Sequence, residues 1–232
     1  AIVKSHTSLQ LVVMAGGLGT RLGKMTENTP KSLIEVGDKP MLHHILDWAQ
    51  GQGCMHALVL TGHLGEQFEG ITHPGMALTF HQESEPLGTG GALWNARDLL
   101  EERFILVWGD DLHPVEYKSL LALHQSTDSP LTITVTEAHS SMNLQHKDGR
   151  LLEYDKNTKS SQTLNGYEAG TSVVEKSTLL KYGHEGKWSW EETVYPALSG
   201  KAVTHLDNTR FWDMGTPERL ASLEEFLNKA TL

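Results

Sequence analysis

Leu11-Val12-Val13-Met14-Ala15-Gly16-Gly17-Leu18-Gly19-Thr20-Arg21-Leu22 is the stretch that decides the fold. An apolar run of strand length, Leu11 to Ala15, passes straight into a glycine-rich loop, the pattern of a buried strand that ends at a ligand-facing turn. Working outward, Met41 to Gly51 carries Leu42, Ile45, Leu46 and Ala49 at helical spacing, with Gly51 or Gly53 as the stop. Ala57 to Thr61 and Ala77 to His81 read as further strands, and Gly65 to Gly70 as a short helix. After a Pro86 to Gly91 loop, Ala92 to Glu102 is predicted as an amphipathic helix, and Phe104 to Trp108 as a strand stopping at Gly109-Asp110-Asp111. Strand, loop and helix in repeated order predict an α/β fold, Rossmann-like, with a mostly parallel sheet and helices on both faces. Ligands in such sheets sit beyond the carboxyl ends of the strands, where both the first glycine loop and the Gly109-Asp110-Asp111 turn fall.

The second half changes character: Leu131 to Glu137 is strongly β-branched, Gln145 to Lys159 polar, and Thr171 to Val174 another strand. Leu198 to Phe211 reads as strand plus turn. Pro217 to Ala230 is predicted as a terminal helix with Leu220, Leu223, Phe226 and Leu227 facing inward. One domain over residues 1–232 is the expectation, with a nucleotide-binding half at about 9–125 and a strand-rich half at about 126–232 that covers it.

Composition narrows the classes. The net charge of -10 argues against a non-specific nucleic-acid binder, which needs lysine and arginine to displace counterions. It leaves open a small phosphorylated ligand, recognised by backbone N–H groups, a few cations and a divalent metal. No apolar run approaches the length of a membrane span. Residues 1–10 lack the apolar core of a signal peptide, so a cytoplasmic location is the expectation. The lone Cys54 reads as a buried small hydrophobe, and the thirteen histidines show no metal-ligand spacing.

The chemistry sits in four ordered segments. Ala15, Gly16, Gly17, Gly19 and Thr20 form a loop whose backbone can approach a triphosphate, while Arg21 and, in Thr29-Pro30-Lys31-Ser32-Leu33, Lys31 neutralise charge on the reacting phosphoryl groups. Neither the P-loop nor the dinucleotide glycine spacing is present. His81-Gln82-Glu83-Ser84-Glu85-Pro86-Leu87-Gly88-Thr89-Gly90-Gly91 is a second glycine-bearing loop. Asp110 follows a buried strand, where a carboxylate can hold a divalent cation against phosphates; Asp111 reads as a cap of the next element. Phe211-Trp212-Asp213-Met214-Gly215-Thr216-Pro217 supplies another carboxylate ahead of the last helix.

In this order the segments resemble the nucleoside-diphosphate-sugar pyrophosphorylases, the sugar-1-phosphate nucleotidyltransferase family, and the resemblance covers nearly the whole chain. It implies in-line attack by a sugar 1-phosphate oxygen on the α-phosphorus of a nucleoside triphosphate, with pyrophosphate leaving. It makes Arg21, Lys31 and Asp110 catalytic, Asp110 and Asp213 ligands of Mg²⁺, and Gln82, Gly88 and Thr89 part of the base and ribose pocket. Glu153-Tyr154-Asp155-Lys156 is similar to a family segment whose lysine binds the acceptor phosphate, so Lys156 is the candidate and Lys159 its rival. Glu168-Ala169-Gly170 is similar to the family step in which Glu168 and Gly170 bind sugar hydroxyls, with Glu191 and Glu192 as further candidates. Trp108 stands where relatives commonly have Asn. The compact length and the Glu-Pro-Leu-Gly-Thr-Gly-Gly-Ala loop resemble the short heptose-1-phosphate guanylyltransferases, which implies GTP and a manno-configured heptose 1-phosphate. A uridylyltransferase of amino-sugar or N-acetylmuramate 1-phosphates is the alternative. A glycosyltransferase and a non-catalytic regulatory subunit are remoter readings. The partners implied are the two substrates, and possible self-association is left open.

Overall fold

The computed structural model describes residues 9–17, 19–157 and 162–230. Leu18 of the glycine loop, Lys159 and the opening residues 1–8 lie outside the described residues. The first half contains β1 (Gln10–Ala15), β2 (Glu35–Val36), β3 (Lys39–Pro40), α1 (Met41–Gly51), β4 (His56–Thr61), β5 (Ala77–Gln82), α2 (Gly88–Asn95), β6 (Arg103–Trp108), β7 (Asp111–Leu112) and α3 (Tyr117–Ser126). The second half contains β8 (Leu131–Thr136), β9 (Leu144–Lys147), β10 (Arg150–Tyr154), β11 (Tyr167–Glu175), α4 (Lys176–Tyr182), α5 (Trp190–Ala197), β12 (Val203–Leu206), β13 (Trp212–Asp213) and α6 (Pro217–Ala230).

A single large sheet runs β5-β4-β1-β6-β11-β8-β12-β10-β9. Its first four strands are mutually parallel. β11 then enters antiparallel between β6 and β8, joining the strand-rich second half to the nucleotide-type half without a break. Side chains alternate between faces along each strand. Leu11 and Val13, with Val59 and Ile105, join one core under α1, α3 and α6. Val12, with Leu58 and Leu106, joins the other under α2, α4 and α5. Strands buried on both faces explain the unbroken apolar runs in the sequence.

Helix boundaries follow local chemistry. α1 ends where Gly53 adopts φ 98°, and Leu42, Ile45, Leu46 and Ala49 are all buried as the spacing predicts. α6 starts with the Thr216 hydroxyl accepting from the Arg219 N–H at 3.3 Å and with Pro217 in its first turn. In α5 the Ser189 hydroxyl accepts from the Glu192 N–H.

The predicted helix over 92–102 is displaced. α2 begins at Gly88, inside the supposed loop, and ends at Asn95, with one 3-10 turn after it. The cause is packing: Gly90 and Gly91 both donate their N–H to the Trp188 carbonyl, and a Cβ on Gly90 would lie 2.1 Å from the Trp188 ring. These glycines permit a close helix contact. Among the described residues, no helix is long and apolar enough to cross a membrane.

Candidate active site

A cavity of about 870 Å³ opens at the carboxyl ends of β1, β4 and β6. Ala15, Gly16, Gly17, Lys31, Gln82, Gly88, Thr89 and Asp110, all expected at the site, line it. Gly19 supports it from behind. Its φ is +63°, its carbonyl accepts from the Thr26 hydroxyl at 2.7 Å, and a Cβ there would press on Thr26 and on the Lys31 stem. The glycine loop is thereby folded onto Lys31.

Lys31 Nζ reaches Asp110 Oδ2 at 2.7 Å, with the lysine side chain only 18% exposed. Two segments separated by 79 residues thus meet at one ion pair. β13 brings in the distant carboxylate. It pairs antiparallel with β7, setting Asp213 opposite Asp111, and the Met214 N–H donates to the Asp110 carbonyl at 3.3 Å. Asp213 Oδ1 accepts from the Gly215 N–H at 2.8 Å and from Arg219 at 3.3 Å. Asp111, expected to act as a cap, is instead a half-buried member of this group. Burial, then the charges of Asp110 and Asp213, push its carboxyl well above the usual range, and Lys31 only partly offsets them.

Four expected residues stand differently from the reading above. Arg21 and Thr20 are exposed on the 3-10 turn after the loop, outside the cavity wall. Thr89 lines the cavity, but its hydroxyl accepts from the Trp190 N–H at 2.9 Å and donates to Glu191 Oε2 at 3.2 Å, so it ties α2 to α5. The Gln82 amide folds along the Gly62–Gly65 turn and donates to the Gly62 carbonyl at 3.2 Å.

The acceptor with spare capacity is Glu83. It lines the cavity, its Oε2 is buried without a hydrogen-bond partner, and burial raises its pKa against a partial offset from the Leu87 N–H. A Cβ on Gly62 or Gly16 would stand 3.1 or 3.4 Å from Glu83 Oε1, so both glycines make room for it. Strand alternation could have found Glu83: in β5 His81 and Gln82 pair with Leu60 and Thr61, and the Glu83 N–H donates to the Thr61 carbonyl one step beyond. Lys187 also lines the cavity, between Gly186 and Trp188, and nothing in the local sequence marks it.

The second-substrate residues lie outside that cavity. Glu168 Oε1 accepts from the Gly170 N–H at 2.8 Å. Burial pushes the Glu168 carboxyl up to about 8, opposed by that hydrogen bond and reinforced by Glu191. Gly170 has φ 97°, and a Cβ there would meet the Trp108 ring at 2.7 Å, so the Trp in place of the common Asn packs on the Glu168-Gly170 step. Lys156 is exposed, 3.8 Å from Glu192 Oε2.

Comparison with known proteins follows this geometry. The sequence profile of the family described as Nucleotidyl transferase matches residues 10–145. The chain is 28% identical over 222 residues to a D-glycero-alpha-D-manno-heptose 1-phosphate guanylyltransferase of Aneurinibacillus thermoaerophilus, covering 90% of this chain and 94% of that protein. It is 30% identical over 225 residues to a mannose-1-phosphate guanylyltransferase catalytic subunit beta of Drosophila melanogaster, covering 89% of this chain but 59% of that longer protein. Among solved structures, HddC from Yersinia pseudotuberculosis superposes with a TM-score of 0.79 at 26% identity, covering 94% of this chain and 99% of that one. HddC is also known complexed with GMP-PN.

Proposed function

This chain belongs to the nucleotidyl transferase family, and on that premise we propose that it transfers GMP from GTP to a manno-configured heptose 1-phosphate, releasing pyrophosphate. The observation that carries the reading is the meeting of the glycine loop, Lys31 and Asp110 at the cavity, with the Asp213 strand hydrogen-bonded to the Asp110 backbone and paired with Asp111. The guanylyltransferase relatives and the HddC complex with GMP-PN support the base. So does Glu83: it lines the cavity, and the two oxygens of a carboxylate suit the adjacent N1–H and N2–H donors of guanine, whereas uracil offers one donor between two acceptors.

The acceptor phosphate oxygen attacks the α-phosphorus, and the bond to the bridging oxygen of pyrophosphate breaks. The acceptor is already anionic, so no side chain has to remove a proton. The protein's work is alignment of two mutually repelling phosphates and neutralisation of their charge. Gly16 and Gly17 present backbone to the triphosphate, and Lys31 supplies charge near the reacting centre. Arg21, on its exposed turn, reaches the β- and γ-phosphates once nucleotide is present. Lys156 holds the acceptor phosphate; Glu168 and the Gly170 backbone hold sugar hydroxyls.

The donor set also fits a divalent cation. Asp110, Asp111 and Asp213 crowd together with Lys31 as the cation that offsets Asp111. Among the described residues no group of three or more His, Cys, Asp or Glu side chains is placed to hold a metal ion by itself. Mg²⁺ needs few protein carboxylates when phosphates and water complete its octahedron, so Asp110 and Asp213 would hold it. When bound, it would supply charge neutralisation at the phosphates.

The test is a pyrophosphate-release matrix of nucleoside triphosphates against sugar 1-phosphates, with Asp110→Ala and Asp213→Ala alongside. Release with GTP and a heptose or mannose 1-phosphate, lost in both variants, is expected. A signal confined to UTP would overturn the guanylyl assignment, and near-normal turnover in either variant would overturn the metal assignment.

A further inference from the structure

A second cavity, of about 460 Å³, shares no lining residue with the nucleotide cavity. Arg210, Arg219, His139, Asn208 and Phe211 line it, and Asp213 is the one acidic residue among its described lining residues. Two guanidinium groups facing one cavity are unexpected in a chain with 29 acidic and 19 basic residues. Arg210 is already ordered, its guanidinium 3.7 Å over the Trp212 ring. Arg219 is half-exposed, its guanidinium 3.3 Å from Asp213 Oδ1. The wall is partly aromatic: His139 stacks on Tyr167 at 3.8 Å and lies within 8° of parallel to Phe211.

We propose that this cavity binds a phosphate-bearing anion, recognised by Arg210 and Arg219, that competes with Asp213 for Arg219. The planar guanidinium fork matches phosphate oxygens, and an arginine already stacked on an aromatic ring loses little freedom when it binds. An exposed carboxylate–arginine contact at 3.3 Å is weak, so a doubly charged phosphate displaces it. Once Arg219 turns to the anion, Asp213 keeps only the Gly215 N–H on Oδ1, and its negative charge is less compensated. Occupancy therefore raises the affinity of the Asp110–Asp213 pair for a divalent cation. Only this coupling rests on the reading of Asp213 as a cation ligand; the anion site stands on the cavity alone.

Calorimetric titration of the metal-free full chain with inorganic phosphate in one arm and phenyl phosphate in the other tests the site. Saturable binding that survives Lys31→Met and weakens about tenfold in Arg210→Met and Arg219→Met, the loss of a charge-assisted hydrogen bond, is expected. The tighter arm tells whether free phosphate or an organic monoester is the source. Absence of saturable binding at millimolar concentration overturns the proposal, as does binding that both arginine variants retain or that Lys31→Met abolishes. Both arginines are exposed, so these variants leave the core untouched. Mn²⁺ titration then reads the coupling. Its affinity rises about two- to fivefold with phenyl phosphate in the unsubstituted chain and is unmoved by it in Arg219→Met. Mn²⁺ affinity indifferent to the anion in both overturns the coupling while leaving the anion site standing.

Discussion

At the scale of single residues, the site is a set of side chains whose neighbours decide what each is free to do. Gln82 and Glu83 are adjacent, yet the amide is engaged by the Gly62 carbonyl while Glu83 lines the cavity with one carboxylate oxygen buried and unpartnered. If Glu83 reads the guanine edge, Glu83→Gln trades one of two acceptors for a donor and should lower kcat/KM for GTP roughly 5- to 150-fold, the effect of losing a bidentate pair worth ~1–3 kcal/mol. Inosine triphosphate, which lacks the 2-amino group, supplies the control. The unsubstituted enzyme should prefer GTP over it and the variant should not; equal ratios in both would remove Glu83 from base reading. Asp110 was legible because it ends a buried strand at a Gly-Asp turn, and Lys31 and Asp213 because short motifs around them resemble those of the family. Glu83 needed the alternation of β5 carried one step past its end, and Lys187, in a bend ahead of α5, meets the cavity only through tertiary packing.

At the scale of elements, the glycine-bearing segment after β5 is the instructive case. Its sequence reads as a loop, but packing makes it the first turn of α2, with its free N–H groups taken by the Trp188 carbonyl. Gly90→Ala would set a methyl 2.1 Å from the Trp188 ring. Overpacking of this kind costs ~1–3 kcal/mol, so the urea midpoint should fall with an unchanged slope, and the KM for nucleotide should rise because Gly88 and Thr89 shift with the helix. A variant as stable as the parent would mean that the Trp188 ring moves aside without cost. By contrast α1 and α6 match their predicted limits, because apolar spacing, Pro at the start and a glycine or cap at the end are all local signals.

Across the whole molecule, stability and site share the same buried polar groups. His113 is buried, its Nδ1 3.0 Å from the Thr171 hydroxyl and its Nε2 without a partner. Burial, opposed by Asp207 and reinforced by His205, pushes its pKa from 6.5 down to about 4. The unfolded chain therefore takes up this proton first as the pH falls, so stability from the neutral imidazole is present above 6.5 and is lost between 6.5 and 4. His113→Asn should be the less stable protein at pH 7, with its deficit narrowing by roughly 2 kcal/mol at pH 5. Urea unfolding at the two pH values checks this, and a deficit independent of pH would show that His113 titrates normally in the fold.

The amino-acid sequence by itself determined the α/β class, the glycine loop, the family and the charged residues Lys31, Asp110 and Asp213, because periodicity, turn chemistry and short motifs are encoded within a few neighbouring positions. Only the tertiary structure decided that β11 enters antiparallel, that Thr89 and Gln82 are engaged elsewhere, that Asp111 sits half-buried among carboxylates and that Arg210 and Arg219 share a second cavity. Those facts depend on which surfaces meet across tens of residues of chain, and burial, which sets both pKa and hydrogen-bond partners, exists only once they have met.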